Sequence, residues 1–185
     1  MARTTRTVGA RKSIKSNSGL PGWIAAWLLI TAVIQTWDAS YILLRPHSAA
    51  GGKLNAFWRP YNLYQEIDLR YKEDESFGIA QSCLNVVEVL LCVFVLYLNR
   101  VGSKFTYVLA LFVNTMTWWK TVLYMLMYTD FCNGNDMIGT SDPLLLIFCF
   151  FIPNGFWILV PGMSIISLGK RLASKVDRNE RNYDD

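Results

Sequence analysis

Residues 22–44 read GWIAAWLLITAVIQTWDASYILL, and this apolar run decides the fold class of the chain. An α-helix needs about 20 apolar residues to cross the hydrocarbon core of a bilayer. The run meets no formal charge before Asp38, and the next charge is Arg45. It therefore predicts a membrane-spanning helix that carries one carboxyl group in its later half.

A cleaved signal peptide is the alternative interpretation of this run. A basic leader precedes it, and the small residues Ala39 and Ser40 follow its most apolar part. However, the apolar character continues through residues 41–44, and the bulky sequence TWD just before the small residues suits a cleavage site poorly. We therefore expect a retained helix.

The composition of the whole chain agrees with a membrane protein. The 185 residues are 52% hydrophobic, 14% aromatic and 17% charged. Soluble domains carry about 25% charged residues, so this chain is poor in charge. The four cysteines have neither the spacing of a disulfide framework nor that of a zinc site, since three lie inside apolar runs. We expect no metal and no cofactor.

Four apolar windows are long enough to span a bilayer, at about 22–44, 77–98, 105–128 and 143–168. They predict an all-α fold, an integral membrane four-helix bundle that is multi-pass. The chain then divides into a basic cytosolic arm (1–21), a transmembrane domain (22–170) and a charged cytosolic tail (171–185).

The distribution of basic residues predicts the orientation, because cytosolic loops carry an excess of Lys and Arg. Basic residues are concentrated in the arm, in the loop that holds Arg100 and Lys104, and in the tail. Residues 45–76 carry equal numbers of acidic and basic residues, and residues 129–142 contain no Lys or Arg. Both termini are therefore expected in the cytosol. Each basic cluster adjoins an apolar run, which favours orientation in a membrane over nucleic-acid binding.

The long loop 45–76 contains the aromatic residues Trp58, Tyr61, Tyr64 and Tyr71. Amphipathic rings of this kind suit the membrane–water interface. We expect a short interfacial helix in this loop, with a solvated loop as the alternative.

Polar residues recur at helical spacing inside the apolar windows, and residues separated by three or four positions share one helix face. A charge at bilayer depth costs at least ~2.5–3.5 kcal/mol, so it normally faces a partner or a cavity. We therefore predict that these side chains converge on one chamber inside the bundle. The stripes are Thr31, Gln35 and Asp38; Gln81, Asn85, Glu88 and Cys92; Asn114, Thr117, Lys120 or Thr121, and Tyr124; and Asn154 near Trp157.

Two other interpretations of the stripes stay open. In a purely structural network, Lys120 would neutralise Glu88 or Asp38, and the amides would tie the helices together. An ion path would need polar residues that continue to both surfaces, which the first half of the first window lacks. A ligand pocket is favoured over both. Trp37 beside Asp38 suits a cationic amphiphile through cation–π attraction.

Four stretches resemble the EXPERA family, which includes emopamil-binding protein (the sterol Δ8–Δ7 isomerase) and the sigma-2 receptor. They are YQEIDLRY (64–71), VVEVLL (86–91), VLYML (122–126) and NGFWILVPGMSIISLGKRL (154–172). Their order agrees with the family along almost the whole chain. The resemblance implies a four-helix, sterol-related protein of the endoplasmic reticulum that forms a homodimer.

The resemblance also implies site residues. Glu88, Asn154 and Trp157 match residues that line the isomerase pocket, while Asp38 and Asp68 correspond to two binding aspartates of the sigma-2 receptor. The isomerase carries a His and a Glu where this chain has Thr31 and Gln35. Because neither side chain titrates usefully, an isomerase reaction here would need Asp38 and Glu88 as a relocated acid–base pair.

Three functions follow from these observations. The first is the binding of a sterol or other amphiphilic small molecule, with membrane lipid as the surrounding partner. The second is an isomerase that works through a carbocation, and the third is a membrane scaffold without ligand. Lys120 bears on the choice, because a lysine that points into the chamber disfavours a carbocation and favours an anionic or hydroxylated lipid. A lysine that pairs outside the cavity would leave the enzymatic function open. The predicted ligand-binding residues are Thr31, Gln35, Trp37, Asp38, Asp68, Asn85, Glu88, Lys120, Tyr124, Asn154 and Trp157.

Overall fold

The computed structural model describes residues 19–73 and 75–184, with side chains as far as residue 177. The predicted arm, residues 1–21, therefore lies almost entirely outside the described residues, as do the side chains at the end of the predicted tail. Within the described part of the chain every regular element is helical, and the all-α prediction is confirmed.

The long helices follow the apolar windows, except that the last one continues beyond its window, 143–168, through the predicted tail to Asp184. In chain order they are α1 (Gly22–Leu43), α2 (Tyr61–Ile67), α3 (Ser76–Val101), α4 (Thr106–Leu126), α5 (Pro143–Leu145) and α6 (Ile152–Asp184). A π-helical stretch, Leu146–Phe151, joins α5 to α6 without interruption. Short 3₁₀ helices lie at Asn55–Trp58, Leu69–Tyr71, Asp130–Cys132 and Asn135–Met137.

Local chemistry sets several helix ends. The carboxylate of Glu75 accepts hydrogen bonds from the backbone N–H groups of Phe77 and Gly78, which otherwise have no partner in the first turn of α3. Gly102 follows the last residue of α3 and caps the helix. Its φ of 72° lies in the left-handed region of backbone conformation, which favours glycine. At the start of α5, Asp142 caps the first turn and Pro143 takes the first helical position.

The long helices pack as two pairs, α1 with α3 and α4 with α6, and the pairs meet where α3 contacts α4. One end of the bundle is an apolar core built around Ile24, Leu28, Cys92, Val113 and Leu168. The other end is an aromatic core that contains Tyr41, Trp58, Tyr61, Tyr124 and Phe150. A polar layer of buried side chains lies between them: Thr31, Gln35, Ser82, Asn85, Glu88, Asn114, Thr117 and Thr121.

The outer faces of the helices are strongly apolar. Val33 is 63% exposed, Leu90 65% and Leu159 66%, while the charged Glu88 is fully buried. Water-soluble proteins rarely bury a glutamate and rarely expose large contiguous apolar faces. This inverted distribution fits a protein whose outer surface contacts lipid.

By length and composition, three helical regions within the described residues are able to cross a membrane: Gly22–Leu43, Ser76–Val101 and Pro143–Asp177. The fourth predicted span is present as the helix α4 but is not among them. Polar and amphipathic residues, Asn114, Trp118, Trp119 and Lys120, make α4 less apolar than the other three. The structure thus confirms apolar helices able to cross a membrane, and the fourth crossing stays a prediction.

Residues 55–71, which we call the cover segment, fold back over the end of α1. The indole N–H of Trp58 donates to the carbonyl of Trp37 at 2.9 Å, and the indole N–H of Trp37 donates to Phe57 at 3.0 Å. The guanidinium of Arg45 donates to the carbonyl of Tyr71 at 3.1 Å. The short helix predicted in this loop is present as α2, and it closes one end of the bundle.

Candidate functional site

A cavity of about 480 Å³ lies between the two helix pairs, beneath the cover segment. Small-molecule sites in proteins are typically ~300–1,000 Å³, so the cavity is large enough for an organic ligand. Its walls come from α1, α3, α4, α6, the cover segment and the π-helical stretch. The lining residues are Ile34, Gln35, Trp37, Asp38, Pro60, Tyr61, Leu63, Tyr64, Tyr71, Gln81, Asn85, Lys120, Thr121, Tyr124, Cys149, Pro153, Asn154 and Trp157.

Asp38 lies in the wall of this cavity and is held by three neutral donors. Its Oδ1 accepts hydrogen bonds from the hydroxyls of Tyr61 at 2.9 Å and Tyr71 at 2.8 Å. Its Oδ2 accepts one from the amide of Asn85 at 3.0 Å. Each carboxylate oxygen has room for about two donors. Oδ1 is therefore filled, and among the described residues Oδ2 accepts this one bond and keeps one acceptor position.

Glu88 and Lys120 form a buried ion pair next to the cavity. The Nζ of Lys120 lies 2.6 Å from Oε2 of Glu88, and their side chains are only 9% and 1% exposed. The other oxygen of Glu88, Oε1, accepts from the amide of Gln35 at 2.8 Å and from the hydroxyl of Thr117 at 2.5 Å. The carboxylate, which belongs to α3, is thus held by partners on two other helices, α1 and α4.

Asn85 connects the ion pair to Asp38. Its side-chain oxygen accepts a hydrogen bond from Nζ of Lys120, while its amide nitrogen donates to Asp38. A continuous polar chain therefore runs from Asp38 through Asn85 and Lys120 to Glu88. With all three groups charged, this chain carries two negative charges and one positive charge.

Aromatic rings form the wall around Asp38. Trp37 meets Tyr61 edge to face with ring centroids 5.0 Å apart, and Tyr61 stacks on Tyr71 at 5.6 Å. Tyr64 meets Tyr71 edge to face at 4.8 Å. Aromatic faces attract cations, and the attraction is strongest where water is excluded. A carboxylate enclosed by such rings is suited to an ammonium group.

Another wall of the cavity is built where the last helix is irregular. A π-helical stretch is rare and often marks a functional site. Cys149 within it and Pro153 just after it both line the cavity. The amide of Asn154 donates to the carbonyl of Phe150 at 2.8 Å, which fixes the orientation of this side chain. Trp157 lies one turn further on and meets Trp27 of α1 edge to face at 5.1 Å.

Asp68 lies outside the cavity lining, behind the tyrosines. It is fully buried, and it accepts hydrogen bonds from the hydroxyls of Tyr64, Tyr124 and Tyr128 and from the backbone N–H of Arg70. Burial raises the pKa of Asp68 from 3.8 to about 6, although these hydrogen bonds act in the opposite direction. Asp68 thereby ties the cover segment to the end of α4.

The structure brings most of the predicted site residues to the cavity: Gln35, Trp37, Asp38, Asn85, Lys120, Tyr124, Asn154 and Trp157 line it. Three predicted residues do not. Asp68 lies behind the tyrosines, and Glu88 faces Lys120 in the polar layer. Thr31 is buried one turn from Gln35 with no hydrogen-bond partner for its hydroxyl oxygen. The sequence left open whether Lys120 faces the chamber; it does, and it is paired with Glu88.

The tyrosines of the cover segment were not predicted in the site. Tyr61, Tyr64 and Tyr71 were expected at the membrane interface, yet they form one wall of the cavity, and two of them bind Asp38. Asp38 itself indicates that another segment must contact it, because a carboxylate in an apolar helix needs hydrogen-bond donors that the helix does not supply. Within the described residues, no group of three or more His, Cys, Asp or Glu is placed to hold a metal ion.

Comparison with known proteins gives two distant relatives, and no protein-family model matches the chain. A 3-beta-hydroxysteroid-Delta(8),Delta(7)-isomerase from Rattus norvegicus is 27% identical over 157 residues, which cover 82% of this chain and 64% of that enzyme. A protoglabretal synthase from Ailanthus altissima is 23% identical over 168 residues, which cover 90% of this chain and 74% of that protein. The similarity to the rat isomerase supports in part the EXPERA resemblance seen in the motifs.

Proposed function

We propose that this protein binds a sterol-like or cationic amphiphilic small molecule in the cavity between its helix pairs. The observation that carries the proposal is Asp38, a carboxylate with one open acceptor position in the wall of a cavity of about 480 Å³. The aromatic rings around Asp38 would hold an ammonium or hydroxyl group. Apolar lining residues such as Ile34 and Leu63 would hold the hydrocarbon body.

The same proposal includes a membrane arrangement. All four long helices, α1, α3, α4 and α6, cross the membrane of the endoplasmic reticulum within a transmembrane domain of residues 22–170. Both termini lie in the cytosol, as the basic residues predict. Support for the fourth crossing comes from α4, whose Lys120 is neutralised inside the bundle by Glu88. The homodimer implied by the family resemblance is part of the proposal.

An isomerase-like enzyme is the second candidate, favoured by the similarity to the rat isomerase. Moving a double bond through a carbocation requires one group that gives a proton and another that removes one. Asp38 reaches the cavity, but Glu88 does not line it and is paired with Lys120. Binding without chemistry therefore has the better support. A scaffold without ligand is the third candidate, and the volume of the cavity speaks against it.

The test of the binding proposal is the affinity of the purified full-length protein for N,N-dimethyldodecylamine, measured by calorimetry in lipid nanodiscs with empty nanodiscs subtracted. Asp38→Asn should weaken binding by at least about tenfold, since it removes the charge that faces the ammonium. Asp136→Asn, an exposed acid in the loop before α5, is the matched control. Equal affinity of the wild type and Asp38→Asn would rule out this carboxylate as the anchor.

The enzymatic candidate is tested separately. The protein is expressed in a cell that lacks its own sterol Δ8–Δ7 isomerase, and the sterols are profiled by mass spectrometry. Binding without chemistry predicts an unchanged profile. Restoration of Δ7 sterols, with loss of restoration in Asp38→Asn, would replace the binding proposal by the enzymatic one.

A further inference from the structure

Lys120 is a cation in the wall of a site that, under the proposed function, receives a cation. The inference below rests on that proposal and deepens it. Nζ of Lys120 lies 2.6 Å from Oε2 of Glu88 and also donates to the side-chain oxygen of Asn85. Lys120 lines the cavity, whereas Glu88 does not. The lysine therefore stands between the Glu88 carboxylate and any guest molecule.

The partners of Glu88 hold this pair in place. Gln35 and Thr117 both donate to Oε1 of Glu88, so the carboxylate keeps its second oxygen toward Lys120. The charges of a contact ion pair cancel at longer range, and this one is almost fully buried. Asp38, by contrast, is held by tyrosine hydroxyls and an amide, which are neutral donors. Within the described residues, the cavity therefore faces its guest with one carboxylate, Asp38, that has no ion-pair partner of its own.

We infer that Lys120 is an internal counter-ion that makes this cavity specific for ligands with a single positive charge. One ammonium is balanced by Asp38. A second ammonium on the same ligand finds no free carboxylate, because Lys120 occupies Glu88, and it is repelled by Lys120. The chemical class of the ligand is then a monocationic amphiphile, and dicationic amphiphiles of the same length are rejected.

Glu88 becomes a positioning residue in this arrangement. It does not touch the ligand, but it holds the charge of Lys120 away from Asp38. Without the Glu88 carboxylate, the ammonium of Lys120 would be balanced by Asp38, the nearest acid along the polar chain through Asn85. A substitution that removes the charge of Glu88 should then weaken the binding of a ligand whose cation contacts only Asp38.

The experiment compares two probes with the same hydrocarbon tail, N,N-dimethyldodecylamine and N-dodecyl-1,3-diaminopropane, on the full-length protein in nanodiscs. At about pH 6.5 both amines of the second probe carry a charge. The wild type should bind the monoamine at least about tenfold more tightly than the diamine. In Lys120→Met this ratio should shift by about tenfold toward the diamine, whose second ammonium replaces the lysine beside Glu88.

Two further variants separate charge placement from damage to the fold. Glu88→Gln should weaken binding of the monoamine by about tenfold. The combined variant, Glu88→Gln with Lys120→Met, should recover that loss of affinity. The affinities are compared for the folded fraction of each variant, because removing both charges would also restore the stability of a purely structural pair. If Lys120→Met shows no cooperative unfolding transition, that variant does not fold. The affinities of Glu88→Gln and of the combined variant for the monoamine then still test the role of Lys120.

The outcomes are distinct. An unchanged probe ratio in a folded Lys120→Met, or no recovery in the combined variant, would overturn the role of Lys120 and leave the binding proposal standing. Failure of the wild type to bind either probe would overturn the binding proposal, and the inference with it.

Discussion

Nζ of Lys120 lies 2.6 Å from Oε2 of Glu88, and this contact joins α3 to α4 in the middle of the bundle. Both side chains are almost fully buried, in a layer flanked by an apolar core on one side and an aromatic core on the other. Removing either charge leaves the other without its partner. The pair therefore accounts for the presence of a lysine on a helix face that packs against apolar helices.

The stability of the protein should depend on this pair as a unit. Glu88→Gln leaves a buried ammonium without a counter-charge and should lower the free energy of unfolding by about 3–5 kcal/mol. Lys120→Met should cost less, because the Glu88 carboxylate keeps its hydrogen bonds from Gln35 and Thr117. The combined variant should lose less than the sum of the two single variants. The measurement is an equilibrium unfolding titration in detergent for all four proteins.

The exposed ion pair Lys72–Glu66 provides the matched control. Its N–O distance is 2.8 Å, but the side chains are 50% and 53% exposed. Removing both charges should change the free energy of unfolding by no more than about 1 kcal/mol, because water screens the pair. Comparable losses of the free energy of unfolding at the two pairs would contradict the conclusion that the buried pair of Lys120 and Glu88 stabilises the fold.

The hydroxyls of Tyr61 and Tyr71 should hold the cover segment onto α1 through Asp38. Each donates to Oδ1 of that carboxylate, and a hydrogen bond to a charged group contributes about 1.5–3 kcal/mol. The variant with both Tyr61→Phe and Tyr71→Phe keeps the rings but loses both donors. Backbone amides of residues 55–71 should then exchange hydrogen for deuterium faster, as measured by mass spectrometry.

Tyr97→Phe is the control for this experiment, because that ring is 60% exposed on the outer face of α3. It should leave the exchange of the cover segment unchanged. Should the two-tyrosine variant exchange at the wild-type rate, the segment would be held by packing alone, and the bonds to Asp38 would not fasten it.

Asp68 should make stability depend on pH. Burial raises its pKa from 3.8 to about 6, so the folded state binds the proton more tightly than the unfolded state. The stabilisation from this group is fully present below pH 3.8 and is lost as pH rises through about 6. Compared with Asp68→Asn, the wild type should therefore gain roughly 1.4 kcal/mol of stability on acidification from about pH 7.5 to about pH 5, which is one pH unit below the raised pKa.

The measurement is the difference in free energy of unfolding between wild type and Asp68→Asn across this pH range. Asp130→Asn, in an exposed turn outside the cavity, should track the wild type at every pH. A difference between wild type and Asp68→Asn that stays constant, or that grows as the pH rises, would contradict the raised pKa.

The apolar windows located α1, α3, α4 and the start of the last helical region to within a few residues, because the length of an apolar run is a local property of the sequence. The end of α6 was not predicted, since this helix continues through the charged tail to Asp184. The polar stripes also placed Asp38, Asn85 and Lys120 correctly in the cavity wall. Helical spacing identifies a face of a helix but not the neighbour that each side chain meets. Asn85 and Glu88 share a face of α3, yet Asn85 lines the cavity and Glu88 turns to Lys120.

The tyrosines that bind Asp38 could not be predicted from the apolar windows or from the polar stripes. Tyr61 and Tyr71 are 23 and 33 residues away from Asp38 along the chain, and only the fold of the cover segment brings them together. The π-helical stretch before Pro153 likewise has no periodic signal in the sequence, since it depends on how the last helix packs against α4 and the cover segment. Both features arise from long-range contacts.

Cys149 should report directly on occupancy of the cavity. Its side chain is half-buried in the cavity wall, whereas Cys83 lies exposed on the outer face of α3. Two variants are compared, each keeping only one of these cysteines, and modification by methyl methanethiosulfonate is followed by mass spectrometry. At about ten times its dissociation constant, N,N-dimethyldodecylamine should slow modification of Cys149 by about tenfold, because roughly nine cavities in ten are filled.

Cys83 should react at an unchanged rate, since a ligand in the cavity does not cover it. Equal slowing at both cysteines would mean that the amine acts on the surrounding lipid, and no slowing at Cys149 would mean that the cavity does not hold the amine.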